Sequence, residues 1–262
     1  SSSYEKEICD LIAQYRPDLK IERNIRLNRK ELDIYLPDIQ LAIEVNGDYW
    51  HSHLFKHNNY HKDKSDECEK QGIQLIHIWE HDWVGKKNIV VSMLLNKLNK
   101  SSDRIYARKC VIKNISSKDY VEFLNNNHIQ GHSPANTKLG LYYDNKLVSA
   151  MSFNTLRMVL GNKNPHDNQW ELVWFCNKLN TNVVGGASKL FAHFIAENKP
   201  KSIVSYANRD YSKGNLYNTL GFTSKGFTNV SYSYYLPLEK IVKNRFCYRK
   251  SELIKMGYPA DK

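Results

Sequence analysis

The chain has 262 residues, of which 41% are hydrophobic, 25% charged and 12% aromatic. Its size allows one or two domains, and its composition excludes a disordered or low-complexity protein. No apolar run approaches the roughly 18 residues of a membrane span, and the first ten residues lack the apolar segment of a secretory signal. The five cysteines form no CxxC pair, so neither a zinc ribbon nor a disulfide framework is indicated. We therefore expect a cytoplasmic protein with no membrane partner.

The positive charge is concentrated in the second part of the chain. Residues 1–100 contain 15 basic and 16 acidic side chains, whereas residues 101–262 contain 23 basic and 11 acidic ones. Such an excess favours a polyanionic partner, most often nucleic acid. The alternative is a basic surface that serves only solubility.

The first hundred residues alternate between helical and strand patterns. Residues 4–15 carry apolar side chains at helical spacing, and residues 86–98 are amphipathic. Residues 31–36 and 40–46 alternate as strands around the turn Pro37-Asp38, which predicts a β-hairpin. The predicted order αββαβα comprises residues 4–15, 31–36, 40–46, 60–71, 73–79 and 86–98.

A polar stretch, residues 99–104, is the predicted linker to a second domain. The predicted domains are residues 1–100 and 105–262. The elements of the second are helices at 117–127 and 213–220, a hairpin of 138–143 with 147–153, strands at 170–176 and 202–207, and a loop at 182–187 that opens a helix through about 197.

Two strand carboxylates define the candidate active site. Asp33 alternates with Ile34 on the first strand of the hairpin, and Glu44 alternates with Ile43 on the second. Two carboxylates that face one space repel each other unless a divalent cation lies between them. Mg²⁺, or Mn²⁺ in its place, suits such hard oxygen ligands, and it would polarise a phosphodiester and activate water. The alternative is a pair of ordinary solvent-exposed strand carboxylates.

Side chains near these carboxylates supply the remaining chemistry. Glu5 on the first helix is placed to complete the site. His51 and His61 are candidates for general base, general acid or phosphate contact. Lys64, one helical turn beyond His61, is the candidate for stabilising the charge that develops on the phosphate.

Four segments, ELDIYLP, AIEVNGDYWH, YHKDK and GIQLIHIWEHDW, resemble in this order the Vsr-like endonucleases of the PD-(D/E)XK superfamily. The closer resemblance is to the EDxHD branch found in phage homing endonucleases, and it covers roughly residues 4–98. It implies a nuclease site built from a helix Glu, a strand Asp, a His and a later Asp. The counterparts here are Glu5, Asp33, one of His51 or His61, and either Asp63 or Asp82.

The sequence departs from this family at Asn46. The repair enzymes carry a His at this place, and the common superfamily motif carries a Lys there. The resemblance therefore implies that Lys64 supplies the missing lysine from the helix.

The second part resembles the GNAT acyltransferase fold over roughly residues 109–240. Asn182, Gly185, Gly186 and Ala187 occupy the family's acyl-CoA loop, although Asn182 departs from the usual Gln or Arg. Backbone N–H groups at such a helix start can bind a pyrophosphate. Tyr217 stands where many of these enzymes keep a tyrosine general acid. The resemblance implies a domain that binds acetyl-CoA or a catalytically silent scaffold.

The basic residues of the second part are candidate DNA contacts. Tyrosines at 232–235 could stack on bases. The candidate phosphate contacts are Arg209, Lys213, Lys225, Arg245, Arg249 and Lys250.

We therefore predict an α/β protein with an N-terminal PD-(D/E)XK (Vsr-like) nuclease core and a C-terminal GNAT-like α/β domain that aids DNA binding. The predicted activity is metal-dependent hydrolysis of DNA, as a nick or, in a dimer, a double-strand cut, of the phage or mobile-element type. One alternative is an acyl-CoA-dependent transferase that modifies a nucleobase or amine. Another is a DNA-binding module with a decayed nuclease site.

Overall fold

The computed structural model describes residues 3–28, 30–48, 60–156, 168–228, 231–239 and 241–259. Helices and strands are mixed throughout, in agreement with the predicted α/β class. The chain divides into two compact units, the first formed by Ser1–Gly85 with Lys225–Lys262 and the second by Lys86–Ser224. None of the helices in these described ranges is long and apolar enough to cross a membrane.

The first unit is built on a four-stranded sheet of order β1-β2-β3-β4, in which β4 is parallel to β3 and the other neighbours are antiparallel. A short two-stranded hairpin, β12–β13, belongs to its C-terminal part. Its elements are α1 (Ser3–Tyr15), β1 (Glu22–Leu27), β2 (Lys30–Leu36), β3 (Leu41–Asn46), α2 (Tyr60–Lys70), β4 (Gln74–Trp79), α3 (Glu80–Gly85), β12 (Ser233–Leu236), β13 (Ile241–Asn244) and α8 (Lys250–Lys255).

The predicted hairpin of the first unit is confirmed, since β2 pairs with β3 in an antiparallel register that places Ile34 opposite Ile43. Alternate residues of β2 are buried, as the period of a strand requires. The edge strand β1 was not predicted. Its sequence, ERNIRL, contains four charged or amide side chains that stay at least partly exposed, so it lacks a clear apolar face.

The second unit is built on a five-stranded sheet of order β11-β9-β8-β7-β6 and a separate parallel pair, β10-β5. Neighbours in the larger sheet are antiparallel except β11, which is parallel to β9. Its elements are α4 (Lys87–Lys97), β5 (Asp103–Tyr106), β6 (Val111–Asn114), α5 (Ser117–Asn127), β7 (Thr137–Tyr143), β8 (Lys146–Thr155), β9 (Gln169–Asn177), β10 (Thr181–Val184), α6 (Gly186–Asn198), β11 (Ser202–Ser205) and α7 (Asn215–Thr219).

The core of the second unit packs α6 against the larger sheet. The ring of Phe153 on β8 stacks on that of Phe194 on α6, with centroids 3.5 Å apart. Gly140 on β7 is required by close packing, because a Cβ there would lie 2.5 Å from a methyl carbon of Leu147 and 2.9 Å from Ile115. Overpacking of this kind destabilises a core.

Two predictions about the second unit need correction. Asp103 and Arg104, at the end of the predicted linker, lie in strand β5. The predicted loop at 182–187 begins in strand β10, which pairs with β5 in parallel. Pairing between distant segments is not visible in local sequence, and four-residue strands carry too short a pattern to be recognised. The division between units falls after Gly85, so that α4 belongs to the second unit.

Candidate active site

Asp33 lies on β2 next to Ile34, which pairs with Ile43 of β3, so the same register continued by one residue places Asp33 across from Glu44. Its Oδ2 accepts a hydrogen bond of 2.8 Å from the backbone N–H of Val45. Burial raises the pKa of the Asp33 carboxyl, while the Val45 N–H and the Lys64 ammonium oppose the rise and the Glu5 carboxylate adds to it. A carboxylate held partly desolvated beside other charges is typical of functional sites.

Glu44 forms a buried ion pair with Lys64, which reaches β3 from helix α2. Glu44 is 3% exposed and Lys64 is 2% exposed. The solvent-exposed alternative for Glu44 is therefore wrong. Each charge depends on the other, because an unpaired buried charge is costly.

Glu5 on α1 is the third carboxylate of this neighbourhood. It is buried, and its Oε2 accepts a hydrogen bond of 3.3 Å from the guanidinium of Arg23 on β1. Its electrostatic effect on Asp33 joins α1 to the site formed by β2, β3 and α2.

Three rings, those of His61, His77 and Trp79, pack together in the first unit. His77 on β4 is 1% exposed and contacts Asn46 Nδ2 through Nδ1 at 3.2 Å and Ser65 Oγ through Nε2 at 2.9 Å. The ring of His61 lies 5.3 Å from that of His77 and 5.0 Å from Trp79, measured between centroids. Asn46 Oδ1 is buried without a hydrogen-bond partner among the described residues.

A second polar pair follows the ends of the two parallel strands and was not predicted. His81 Nδ1 lies 2.6 Å from Asp48 Oδ1, and His81 Nε2 lies 3.8 Å from Asp82 Oδ2. Glu80 joins the pair by accepting a bond of 3.2 Å from the Asp48 N–H. The available signal was that Asp48 and His81 each come two residues after a strand end, and parallel strands end at the same edge of a sheet.

The two candidates for the later Asp differ in their surroundings. Asp82 on α3 is buried, whereas Asp63 is exposed on the first turn of α2. His51 lies outside the described residues.

The donor set fits a magnesium ion that keeps several waters. Asp33 and Glu44 provide carboxylate oxygens from neighbouring strands, and Mg²⁺ is usually bound through one or two carboxylates. Within the described ranges, no group of three or more His, Cys, Asp or Glu side chains is placed so that it could hold a metal ion.

The acyl-CoA loop residues lie at the start of α6 in the second unit. Gly185 has a φ of 75° and caps the helix, Asn182 is exposed, and Gly186 and Ala187 are buried. An open pocket of about 590 Å³ lies there, lined by Tyr106, Ala107, Arg108, Val184, Gly185 and Lys189.

Two further polar side chains of the second unit form hydrogen bonds with backbone carbonyls of that unit. The Lys189 ammonium donates to the carbonyls of Ala107 and Cys110, at 2.9 and 2.6 Å. The Tyr217 hydroxyl donates to the Tyr206 carbonyl at 3.3 Å.

The six candidate DNA contacts fall in different units. Arg209 and Lys213 belong to the second unit. The others belong to the first, where Arg245 is half-buried and three are exposed, namely Lys225, Arg249 and Lys250.

Comparison with known proteins adds little beyond the sequence. No protein-family model matches the chain. No curated protein matches it either. Among solved structures, the catalytic domain of the homing endonuclease I-Bth0305I is similar to 38% of this chain and 96% of its own, with 24% identity and a TM-score of 0.32.

Proposed function

We propose that the protein is a metal-dependent DNA endonuclease whose active site lies in the first unit. The observation that carries the proposal is the buried Glu44–Lys64 ion pair beside the partly desolvated Asp33. A protein gains little stability from burying such charges, so their presence together on two strands and one helix favours a chemical role.

Each residue has a distinct role in this proposal. Asp33 and Glu44 would hold Mg²⁺ or Mn²⁺, which supplies polarisation of the phosphodiester and activation of water. Glu5 adds a third carboxylate to the site. Lys64 stabilises the charge that develops on the phosphate oxygens. A histidine accepts the proton of the attacking water.

Three histidines are candidates for this proton transfer, namely His51, His61 and His81. His81 is supported by its partner: Asp48 is an acceptor when ionised, so Nδ1 of His81 donates to it and Nε2 keeps the lone pair that a base needs. A carboxylate that fixes the tautomer of a histidine is a recurring arrangement in catalysis.

The second unit aids DNA binding in this proposal. Its excess of basic residues supports phosphate contact. Four antiparallel strands extended by one parallel strand, with α6 before that last strand, support the GNAT-like fold that the sequence predicts. A single protomer would nick DNA, and a dimer would cut both strands. The proposed endonuclease is of the phage or mobile-element type.

The test is cleavage of supercoiled plasmid with Mg²⁺ or Mn²⁺, with and without EDTA. Asp33→Asn keeps the shape of the side chain and an acceptor for the Val45 N–H but removes the charge. We expect metal-dependent nicking or linearisation by the native chain and loss of it in Asp33→Asn. Asp144→Asn is the matched control, because Asp144 is exposed in a hairpin turn of the second unit with a φ of 47° that Asn also adopts. Full activity of a folded Asp33→Asn variant would remove the proposal.

An acyl-CoA-dependent transferase is the second candidate function, supported by the open pocket at the start of α6. Calorimetry with acetyl-CoA tests it, using Arg108→Ala to remove a cation from the pocket. Binding by the native chain that weakens in this variant would favour the transferase. Absence of binding would leave the second unit as a scaffold.

The third candidate function is that of a DNA-binding module with a decayed nuclease site. Steeply salt-dependent DNA binding without cleavage in either metal would favour it.

A further inference from the structure

An exposed set of aromatic rings and arginines lies on the C-terminal segment of the first unit. Hairpin strands β12 and β13 pair Tyr234 with Lys243, and a short turn at Arg245–Tyr248 follows. The exposed fractions of Tyr232, Tyr234 and Phe246 are 55%, 42% and 48%. These three rings, together with Arg245 and Arg249, are here named the aromatic–arginine surface.

The guanidinium groups lie over the ring faces. The Arg245 Cζ is 5.4 Å from the centroid of Tyr232 and 5.1 Å from that of Phe246, and the Arg249 Cζ is 4.5 Å from that of Phe246. Such cation–π contacts contribute about 0.5–1 kcal/mol each at exposed sites and favour this arrangement. The surface therefore places planar aromatic and guanidinium groups side by side.

Positive charge prevails in the segment that carries the surface. Residues 231–259 contain six Lys or Arg and two Glu. Glu252 is paired with Lys255 at 2.9 Å. Within the described part of the chain, neither Arg245 nor Arg249 has an ion-pair partner. A polyanion complements this charge, and a planar, apolar partner complements the rings.

We propose that the aromatic–arginine surface binds single-stranded DNA, with unpaired bases stacked on Phe246 and Tyr232 and with Arg245 and Arg249 contacting phosphates. Unpaired bases offer free faces to aromatic side chains, whereas bases within a duplex already stack on each other. A duplex would use only the positive charge. The inference rests on the proposed DNA endonuclease function and deepens it: the substrate contains an unpaired segment, as in a bubble, flap or fork.

The test is DNA binding by the full chain in EDTA, where cleavage plays no part. Fluorescence anisotropy compares a labelled single strand with the matching duplex at one salt concentration. Phe246→Leu removes the ring and keeps an apolar side chain, and Phe246→Tyr keeps the ring. We expect Phe246→Leu to weaken single-strand binding by roughly tenfold, with Phe246→Tyr unchanged. Duplex binding should change by much less.

A second variant guards against a folding defect at Phe246. Arg249→Lys keeps the charge but removes the planar guanidinium, and we expect it to weaken single-strand binding more than duplex binding. Arg26→Lys, at an exposed position of the edge strand β1, makes the same exchange outside the surface and should change neither. Unchanged single-strand binding in both surface variants, or equal loss on single strand and duplex, would overturn the proposal.

The two proposals fail in different ways. A chain that never cleaves but loses single-strand binding in Phe246→Leu keeps the surface and loses the nuclease. A chain that cleaves with metal while Phe246→Leu and Arg249→Lys bind normally keeps the nuclease and loses the surface.

Discussion

Lys64 of α2 and Glu44 of β3 form an ion pair in which both side chains are almost fully buried. The same helix carries a second pair, Lys62 with Asp66 at 2.7 Å, whose side chains are about one-third exposed. The two pairs have the same chemistry in different surroundings, so they separate the effect of burial from that of charge.

Loss of one partner of the buried pair should be strongly destabilising. We expect Lys64→Met to lower the free energy of unfolding by about 3–5 kcal/mol, because Glu44 is left as an unpaired buried charge. The double variant Lys64→Met/Glu44→Gln should recover much of this loss. Lys62→Met should cost less than about 1 kcal/mol, since its pair is screened by water. The measurement is urea unfolding followed by circular dichroism. Additive losses in the double variant would contradict the buried-pair interpretation.

The buried charge of Asp33 should lower the free energy of unfolding, and we propose that the residue is kept for its role in catalysis. Burial raises the pKa of this carboxyl above its ordinary value, so the folded chain holds the proton more tightly than the unfolded chain. The penalty is therefore absent below the ordinary carboxyl pKa and fully present above the raised one. We expect Asp33→Asn to raise the melting temperature at neutral pH and to lose this advantage at acidic pH. A variant that melts below the native chain at neutral pH would contradict this.

The sequence predicted the elements around the site better than the contacts within it. Apolar alternation in β2 and β3 defined the hairpin and set Asp33 apart from Ile34, because strand periodicity is local. A helix was predicted at residues 60–71, but the burial of Lys64 on it was not predicted. That burial depends on Glu44, 20 residues earlier in the chain, and local pattern does not record such pairing.

The same limit explains the missed His81–Asp48 pair. Its two residues are 33 positions apart and meet only because β3 and β4 are parallel neighbours. The return of residues 225–262 to the first unit was missed for a similar reason. The composition showed that these residues carry excess positive charge, but not that they belong to the first unit.

His128 should make the second unit sensitive to acid. Burial and the nearby Lys86 charge together lower its pKa to about 4, against the opposing effect of the Gly131 backbone. Because the folded chain disfavours the protonated ring, stability is complete above the ordinary histidine pKa and falls as the pH drops toward 4. The loss should reach at most about 3 kcal/mol, and less where solvent reaches the ring.

Tryptophan fluorescence offers a direct measurement of this loss. The His128 ring lies 4.4 Å from that of Trp174, so opening of this contact should change the emission. We expect urea midpoints of the native chain to fall between pH 7 and pH 4, and those of His128→Gln to fall less. His132 is an exposed histidine that, like His128, follows helix α5. The control variant His132→Gln should keep the native pH dependence. Equal pH dependence in all three chains would contradict the role of His128.

His81 provides the sharpest test of the proposed proton transfer. Asp48 lies within hydrogen-bond distance of Nδ1, so in the neutral ring that carries its proton on Nδ1 the acceptor is Nε2, which lies 3.8 Å from Asp82 Oδ2. We expect His81→Gln to lower metal-dependent cleavage about 10²–10⁴-fold while DNA binding is retained. Asp48→Asn should lower the cleavage rate, because His81 would then adopt the wrong tautomer. It should also alter the pH dependence of that rate, as expected for a residue that positions another. His77→Gln is the contrasting variant, because His77 is buried between Asn46 and Ser65 and its loss should reduce stability rather than the rate of the folded chain. Full cleavage by His81→Gln would transfer the role of base to His61 or His51, and the same assay on His61→Gln and His51→Gln would then identify it.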